Sequence, residues 1–200
     1  SGRARDWLSD QLQPTLTSYQ VNRDTHSMQL LLKATATLLV LAAPGIAGEY
    51  NPIREIGDAA PAWTKLPGTD GKTHSLSDLK DKDVVVVVFT CNSCPYAVDY
   101  EDRLVAFHKK YASRNVAVIA INVNKVPEDA LPAMKKRAKE KAFPFAYLFD
   151  ESQKIAKDYG ALFTPEFFVL NKQRKIVYMG SMDNNPDVKK VSKLYLNDAV

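Results

Sequence analysis

The stretch Val84–Tyr100 reads VVVVVFTCNSCPYAVDY, and it decides the fold class. Its first six residues are apolar, mostly β-branched and without alternation, which is typical of a strand buried on both faces of a parallel sheet. From Ala97 onward, apolar residues recur every three or four positions, as they do on one face of a helix. The sequence therefore predicts a buried strand that leads into a helix, with Cys91 and Cys94 at the turn between them.

The two cysteines are the only ones in the chain, and they lie three positions apart. A disulfide that stabilises a fold usually closes a long loop, so this spacing indicates chemistry rather than cross-linking. The carboxyl edge of a parallel sheet is where α/β proteins place their sites. The N–H groups and the dipole at a helix start also stabilise an anion such as a thiolate. We therefore expect Cys91 and Cys94 to form a reactive thiol pair.

The strand–CxxC–helix arrangement resembles that of the thioredoxin superfamily. The run GDAAPAWTKLPGTDGKTHSLSDLK from Gly57, followed by VVVVVFTCNSCPY, resembles its redoxin branch, the TlpA, ResA and peroxiredoxin-like (AhpC/TSA) proteins. Within that branch the chain looks most like the peroxiredoxin-like group that carries a CNxCPY motif. The resemblance covers residues 56–200 and implies a thioredoxin-like α/β fold, with a central mixed β-sheet flanked by helices on both faces and an N-terminal β-hairpin.

The remaining elements of this domain are read from local patterns. Asp70-Gly71 indicates the turn of the small hairpin. A strand over 116–123 is expected to run parallel to the first, through a right-handed crossover. The elements that follow are a helix from Pro127 to about Lys141, a strand over 144–149, a short helix ended by Gly160, a strand through 163–170 paired with 175–179, and a last helix from Asn185 to Val200.

A second informative position is the Thr164-Pro165 pair. The resemblance implies a cis-proline here, at the start of the strand that faces the CxxC motif. Such a bend would expose backbone groups beside the thiols, so that an extended segment of a partner protein could pair with them. We therefore name Thr164 and Pro165 as substrate-binding residues, together with three neighbours of the cysteines: Asn92, Ser93 and Pro95.

Two chemistries are open to the cysteines. In the thioredoxin mode, Cys91 is the nucleophile, expected to be the more exposed thiol with the lowered pKa, and Cys94 resolves the mixed disulfide. In the peroxiredoxin mode, Cys94 attacks peroxide and Cys91 captures the sulfenic acid. The family's peroxide site has Thr or Ser three residues before that cysteine and Pro seven before, where this chain has Cys91 and Val87. The missing hydroxyl would have polarised the peroxide, so thiol–disulfide exchange is the main prediction and peroxidase activity the alternative.

A metal-binding module is the second alternative. One CxxC motif supplies two soft ligands, whereas a closed zinc site usually has four. Copper carriers of the Sco kind use a wider cysteine spacing and a later histidine, and no histidine follows His108 here. His26 and His74 are scattered along the chain. We therefore expect no metal and no bound cofactor, the redox group being the Cys91–Cys94 disulfide itself.

Composition limits the partners. The chain of 200 residues is 46% apolar, enough for one well-buried domain with appendages. Its formal charge is +4, from 27 basic and 23 acidic residues, which gives no reason to expect nucleic acid. The densest basic run, KKRAKEK over 135–141, is expected to end a helix and face water. The expected partners are protein thiols and disulfides, with peroxide under the alternative.

The N-terminal quarter of the chain is expected to lie outside the domain. Residues 1–27 are polar and are predicted to be disordered. Residues 28–47, MQLLLKATATLLVLAAPGIA, have the apolar stretch and small-residue ending of a signal peptide, or of a retained anchor. Residues 48–55 would form a linker. Export predicts an extracytoplasmic location, periplasmic or secreted, or a membrane-anchored form facing the same compartment. Relatives of the group have a longer C-terminal tail, which implies that the domain over 56–200 is truncated.

Overall fold

The structure is a computed structural model that describes residues 51–200. The predictions for residues 1–27 and 28–47, and for the first three residues of the predicted linker, lie outside the described residues. Within the part that is described, no helix is long and apolar enough to cross a membrane.

The centre of the fold is a five-stranded mixed sheet, in which the valine-rich run is the middle strand. The central sheet contains β3 (Val84–Phe89), β4 (Val116–Asn122), β5 (Ala146–Phe149), β6 (Glu166–Leu170) and β7 (Ile176–Gly180). Two shorter strands, β1 (Leu66–Pro67) and β2 (Thr73–His74), precede it in the chain. The order across the central sheet is β5-β4-β3-β6-β7; β3, β4 and β5 are parallel, and β6 and β7 are antiparallel to their neighbours. β1 and β2 form the predicted small hairpin.

Helices cover both faces of this sheet. They are α1 (Pro95–Tyr111), α2 (Leu131–Glu140), α3 (Lys154–Tyr159) and α4 (Tyr195–Asp198), with short 3-10 turns at Leu76–Leu79, Ala112–Arg114, Pro127–Asp129 and Val188–Lys190. Buried side chains of α1, α2 and α4 join one apolar cluster, and those of α3 join the other. The predicted mixed sheet with helices on both faces and an N-terminal hairpin is therefore confirmed.

Burial on both faces explains why the run Val84–Phe89, which forms β3, has no polar residue. Val86 and Val88 belong to the cluster beneath α1, whereas Val85, Val87 and Phe89 belong to the cluster on the opposite face. Successive side chains of a strand point to opposite faces, so a strand with a cluster on each side must be apolar throughout. Burial of each valine contributes about 1.5–3 kcal/mol, and this rigid strand places the cysteines at its end.

The prediction of one helix from Pro127 to Lys141 was wrong. The chain makes a 3-10 turn at Pro127–Asp129, becomes extended at Ala130 and only then enters α2. Pro132 explains the break, because proline has no N–H and fits the first turn of a helix but not its interior. The break leaves the Asp129 side chain buried rather than on a helix surface.

The prediction of a continuous last helix from Asn185 was also wrong. Asp187 caps a single 3-10 turn, and α4 is only four residues long. The side-chain oxygen of Asn184 accepts hydrogen bonds from the backbone N–H groups of Ser192 and Lys193, at 2.9 and 3.0 Å. An asparagine that takes backbone donors in this way competes with helix formation, so the segment remains a loop.

Candidate active site

The two cysteines lie where β3 ends and α1 begins. Cys94 is the N-cap residue of α1, and Pro95 is the first helical residue, where its missing N–H costs nothing. Cys91 follows only two residues after the end of β3 and remains in the core, with an exposed fraction of 2%. Both are thiols in this structure, and Cys94 is partly exposed.

The Cys94 thiol lies in an environment that favours its anion. Burial acts to raise its pKa, but hydrogen bonds from Thr164, from the backbone N–H groups of Ala97 and Tyr96, and from the Cys91 thiol outweigh burial and lower the pKa. The thiol itself donates to the Thr164 carbonyl at 3.4 Å. The site at a helix start thus stabilises a thiolate on Cys94, as expected from the N–H groups exposed there.

The order of exposure is the reverse of the prediction made for the thioredoxin mode. Cys91 was expected to be the exposed nucleophile, but it is buried beneath the loop, with Thr164 Oγ1 at 3.6 Å and Ser93 Oγ at 4.0 Å from its sulfur. The physical reason is that Cys91 lies under the edge of the core in a loop that Asp129 holds by its backbone, whereas Cys94 is at the helix start. In this structure Cys94 rather than Cys91 is therefore the accessible thiol of the pair.

The Thr164–Pro165 segment faces the cysteines from the neighbouring strand. Its peptide bond is cis, as the resemblance implied. The backbone carbonyl of Thr164 contacts the Cys94 sulfur, and the hydroxyl of the same residue contacts the Cys91 sulfur. β6 begins directly after Pro165 and pairs with β3, which fixes the segment beside the thiols. The structure thus brings four of the predicted site residues together.

The other three predicted site residues differ in whether they face solvent or contact the protein. Pro95 is exposed next to Cys94. Asn92 and Ser93 instead make their polar contacts inward: the Asn92 side chain donates to the Glu128 carbonyl at 2.7 Å, and the Ser93 hydroxyl donates to Asp129 at 2.5 Å. Their predicted contact with substrate stays a prediction.

Asp129 is a site residue that sequence reasoning missed. Its carboxylate also accepts the backbone N–H groups of Asn92 and Ser93, so it holds the loop between the cysteines. The available signal was its position: an acidic residue in the loop after β4, the strand next to β3 in the sheet. Parallel strands end at the same edge, so this loop had to lie beside the cysteine loop.

A largely apolar surface lies next to the segments that carry Cys94 and Thr164. Tyr96 beside Cys94 is 62% exposed, and Phe163 before Thr164 is 70% exposed. A cavity of about 270 Å³ lies between these two segments, and its lining includes Tyr96, Tyr100, Phe163, Pro165, Met182 and Pro186. Large exposed aromatic groups around a concave site mark a surface for contact with another molecule.

The histidines stand apart from the thiols. His74 pairs with Asp70 in the hairpin, at 3.0 Å, and His108 lies within α1; His26 is outside the described residues. Over residues 51–200, no cluster of three or more histidine, cysteine, aspartate or glutamate side chains is placed to hold a metal ion.

The lowered pKa of Cys94 predicts the pH dependence of its alkylation. Iodoacetamide reacts with the thiolate, so the pH at which the alkylation rate reaches half its maximum should be lower in the folded protein than in the unfolded chain. Stopped reactions followed by mass spectrometry of the peptides would measure this at Cys94. The same reaction in urea is the control, since unfolding removes the helix N–H groups and should return the midpoint to the ordinary value. A folded-state midpoint above the unfolded one would contradict the prediction.

Fold and site together define a thioredoxin-like α/β protein with a pair of thiols at a helix start. The profile of the family described as Redoxin matches residues 55–195. The chain belongs to the Redoxin family, which confirms the resemblance seen in the sequence; the narrower CNxCPY group stays a prediction.

Three similar proteins illustrate this membership. Peroxiredoxin Q, chloroplastic, of Populus jackii is 33% identical over 104 residues, 52% of this chain and 46% of the relative. The thiol-disulfide oxidoreductase ResA of Bacillus thuringiensis subsp. konkukian is 27% identical over 125 residues, 62% of this chain and 68% of the relative. The chain thus spans about half the length of the peroxiredoxin Q it matches. The solved thioredoxin domain of a thiol-disulfide oxidoreductase from Bacteroides vulgatus has a TM-score of 0.55 and 21% identity, covers 63% of this chain and 88% of that one, and shows the fold.

Proposed function

We propose that this chain is a thiol–disulfide oxidoreductase that exchanges a disulfide between Cys91 and Cys94 with the cysteines of other proteins. The observation that carries the proposal is the pair itself: a partly exposed thiol with a lowered pKa at a helix start, and a second thiol three residues before it, both with their sulfurs in contact with Thr164. The relative named as the oxidoreductase ResA supports this reading.

The exchange needs two displacement steps. The Cys94 thiolate attacks one sulfur of a substrate disulfide, forms a mixed disulfide and releases the other substrate sulfur as a thiolate. Cys91 then loses its proton and attacks the Cys94 sulfur, which forms the Cys91–Cys94 disulfide and releases the second substrate sulfur. The substrate gains two electrons and the protein loses two. A dithiol donor reverses both steps and restores the reduced pair, so no cofactor beyond the two sulfurs is required.

The substrate that fits this surface is a protein segment with a cysteine. The Thr164-Pro165 segment offers backbone groups beside the Cys94 sulfur, and an extended strand can pair with such groups. The exposed Tyr96 and Phe163 rings flank the thiol and would contact apolar side chains next to the substrate cysteine. Specificity would then come from residues around the target disulfide rather than from the sulfur alone.

A second candidate function is the reduction of peroxide. The specific observation that favours it is that the partly exposed thiol with the lowered pKa is Cys94, the cysteine that matches the peroxide-reactive position of peroxiredoxin-like proteins. Cys94 would take one oxygen from the peroxide to become a sulfenic acid and release an alcohol or water. Cys91 would then displace water and form the disulfide. The position that should supply a polarising hydroxyl is occupied by Cys91, so we rank this activity second.

One pair of assays separates the two functions. The reduced protein should accelerate the reduction of insulin by dithiothreitol, because insulin offers protein disulfides. It should consume hydrogen peroxide no faster than a free thiol of the same concentration does, because the polarising hydroxyl is missing. Fast peroxide consumption with a sulfenic acid trapped at Cys94, and no effect on insulin, would instead establish the second function.

The extracytoplasmic location is proposed on the pattern of residues 28–47 alone. Disulfides persist in such compartments, which suits a protein that exchanges them. Cell fractionation followed by N-terminal sequencing of the protein would test it. Recovery in the cytosol with residues 28–47 intact would contradict the proposal.

A further inference from the structure

Asp129 is a buried carboxylate that the exchange steps above do not use. It closes the 3-10 turn after β4, and its exposed fraction is 0%. Among residues 51–200, no lysine, arginine or histidine forms an ion pair with it. Removing a carboxylate from water is costly unless hydrogen bonds replace the lost hydration. The hydrogen-bond partners of Asp129 therefore indicate its structural role.

Most of these partners belong to the loop between the two cysteines. The backbone N–H groups of Asn92 and Ser93 donate to Oδ1 at 2.5 and 3.2 Å, and the Ser93 hydroxyl donates to Oδ2 at 2.5 Å. The side-chain amides of Asn122 and Asn124 complete the set at 3.3 and 3.1 Å. A single carboxylate therefore fixes both residues of the loop, and it does so from a segment that is anchored by β4.

The same contacts direct the Ser93 hydroxyl toward Asp129 rather than toward Cys91. The Ser93 oxygen lies 2.5 Å from Asp129 but 4.0 Å from the Cys91 sulfur. A hydroxyl has one proton, so a proton held by Asp129 is not offered to the sulfur. Cys94 in contrast contacts the N–H groups of the first turn of α1. The asymmetry between the two thiols thus depends in part on where the loop donors are directed.

We propose that Asp129 is the positioning residue of the redox loop, which keeps Cys91 as the buried resolving thiol and leaves Cys94 as the attacking one. This inference rests on the proposed exchange function and names a residue that tunes it. By fixing the loop, Asp129 also holds the two sulfurs near each other in the reduced form. A high effective concentration of one thiol at the other favours the disulfide, so Asp129 should lower the reduction potential of the pair.

The test is the redox equilibrium of Asp129→Asn with glutathione. This change removes the charge and replaces one acceptor oxygen by a donor that faces other donors. We expect the equilibrium constant to shift toward the dithiol by at least about tenfold, which corresponds to about 30 mV for a two-electron couple. Asp150→Asn is the matched control: Asp150 is also buried and accepts from Ser152 and Ile155, but it does not contact the cysteine loop. Its equilibrium should remain within about twofold of the wild type.

Each outcome has a distinct meaning. An Asp129→Asn protein that folds, forms the disulfide and matches the wild-type equilibrium within twofold overturns the inference. Failure of the wild type itself to form the Cys91–Cys94 disulfide contradicts the proposed function instead. If Asp129→Asn does not fold, amide hydrogen exchange of the wild type decides: the Asn92 and Ser93 amides should exchange slowly in both redox states, and fast exchange in either state overturns the inference.

Discussion

Cys94→Ser is expected to reduce insulin-disulfide exchange by at least about a thousandfold, to the rate of dithiothreitol alone, because the change removes the attacking sulfur. Cys91→Ser is expected to behave differently. It keeps the thiolate at the helix start, so it should still attack a substrate disulfide, but it cannot complete the second displacement. The mixed disulfide between Cys94 and the substrate should therefore accumulate.

The two serine variants together test the assignment of roles. Both replace one sulfur by oxygen, but Cys91 is buried and Cys94 is partly exposed, so circular dichroism and urea denaturation would check that each variant is folded under the assay conditions. Non-reducing gel electrophoresis and mass spectrometry would detect the trapped substrate. A mixed disulfide that accumulates on Cys91 in the Cys94→Ser protein, and not on Cys94 in the Cys91→Ser protein, would restore the order predicted from the sequence.

The sequence located the site but not the order of its two thiols. The run of β-branched residues and the helical periodicity after Ala97 are local patterns, and they placed the cysteines at the end of β3 correctly. The solvent exposure of each thiol, in contrast, depends on contacts with residues that are distant in the sequence. Cys91 is buried in a loop whose backbone is fixed by Asp129, which lies 37 residues from Asn92 in the chain. A pattern within the CxxC motif carries no information on that contact.

The errors in the helices have a similar cause. Periodicity over 127–141 and 185–200 suggested helices, but the outcome depended on single polar or proline residues. Pro132 set the true start of α2, and the Asn184 side chain held residues 192 and 193 out of a helix. The first of these could be read from the sequence, because a proline inside a predicted helix argues for a later start. The second required knowledge of which backbone groups the asparagine meets.

The second large effect is expected for Phe168→Ala, which should lower the free energy of unfolding by about 3–5 kcal/mol. Phe168 is fully buried in β6, opposite Val87 of β3. Its ring packs edge-on against Phe89, at 5.7 Å between centroids, and against Tyr159, at 5.0 Å. The change would leave a cavity next to the strand that carries the cysteines, and a loss of this size is a large share of the 5–15 kcal/mol that stabilises a typical domain. Urea denaturation would measure it.

Phe163→Ala is the matched control, because it makes the same chemical change on a ring that is 70% exposed. It should change the free energy of unfolding by less than about 0.5 kcal/mol. If Phe163 contacts protein substrates, the same variant should slow the reduction of insulin while leaving the reaction with oxidised glutathione unchanged, since the small disulfide does not reach the ring. Equal slowing of both reactions would show that Phe163 acts on the thiols themselves, and equal destabilisation by the two alanines would contradict the burial on which the whole comparison depends.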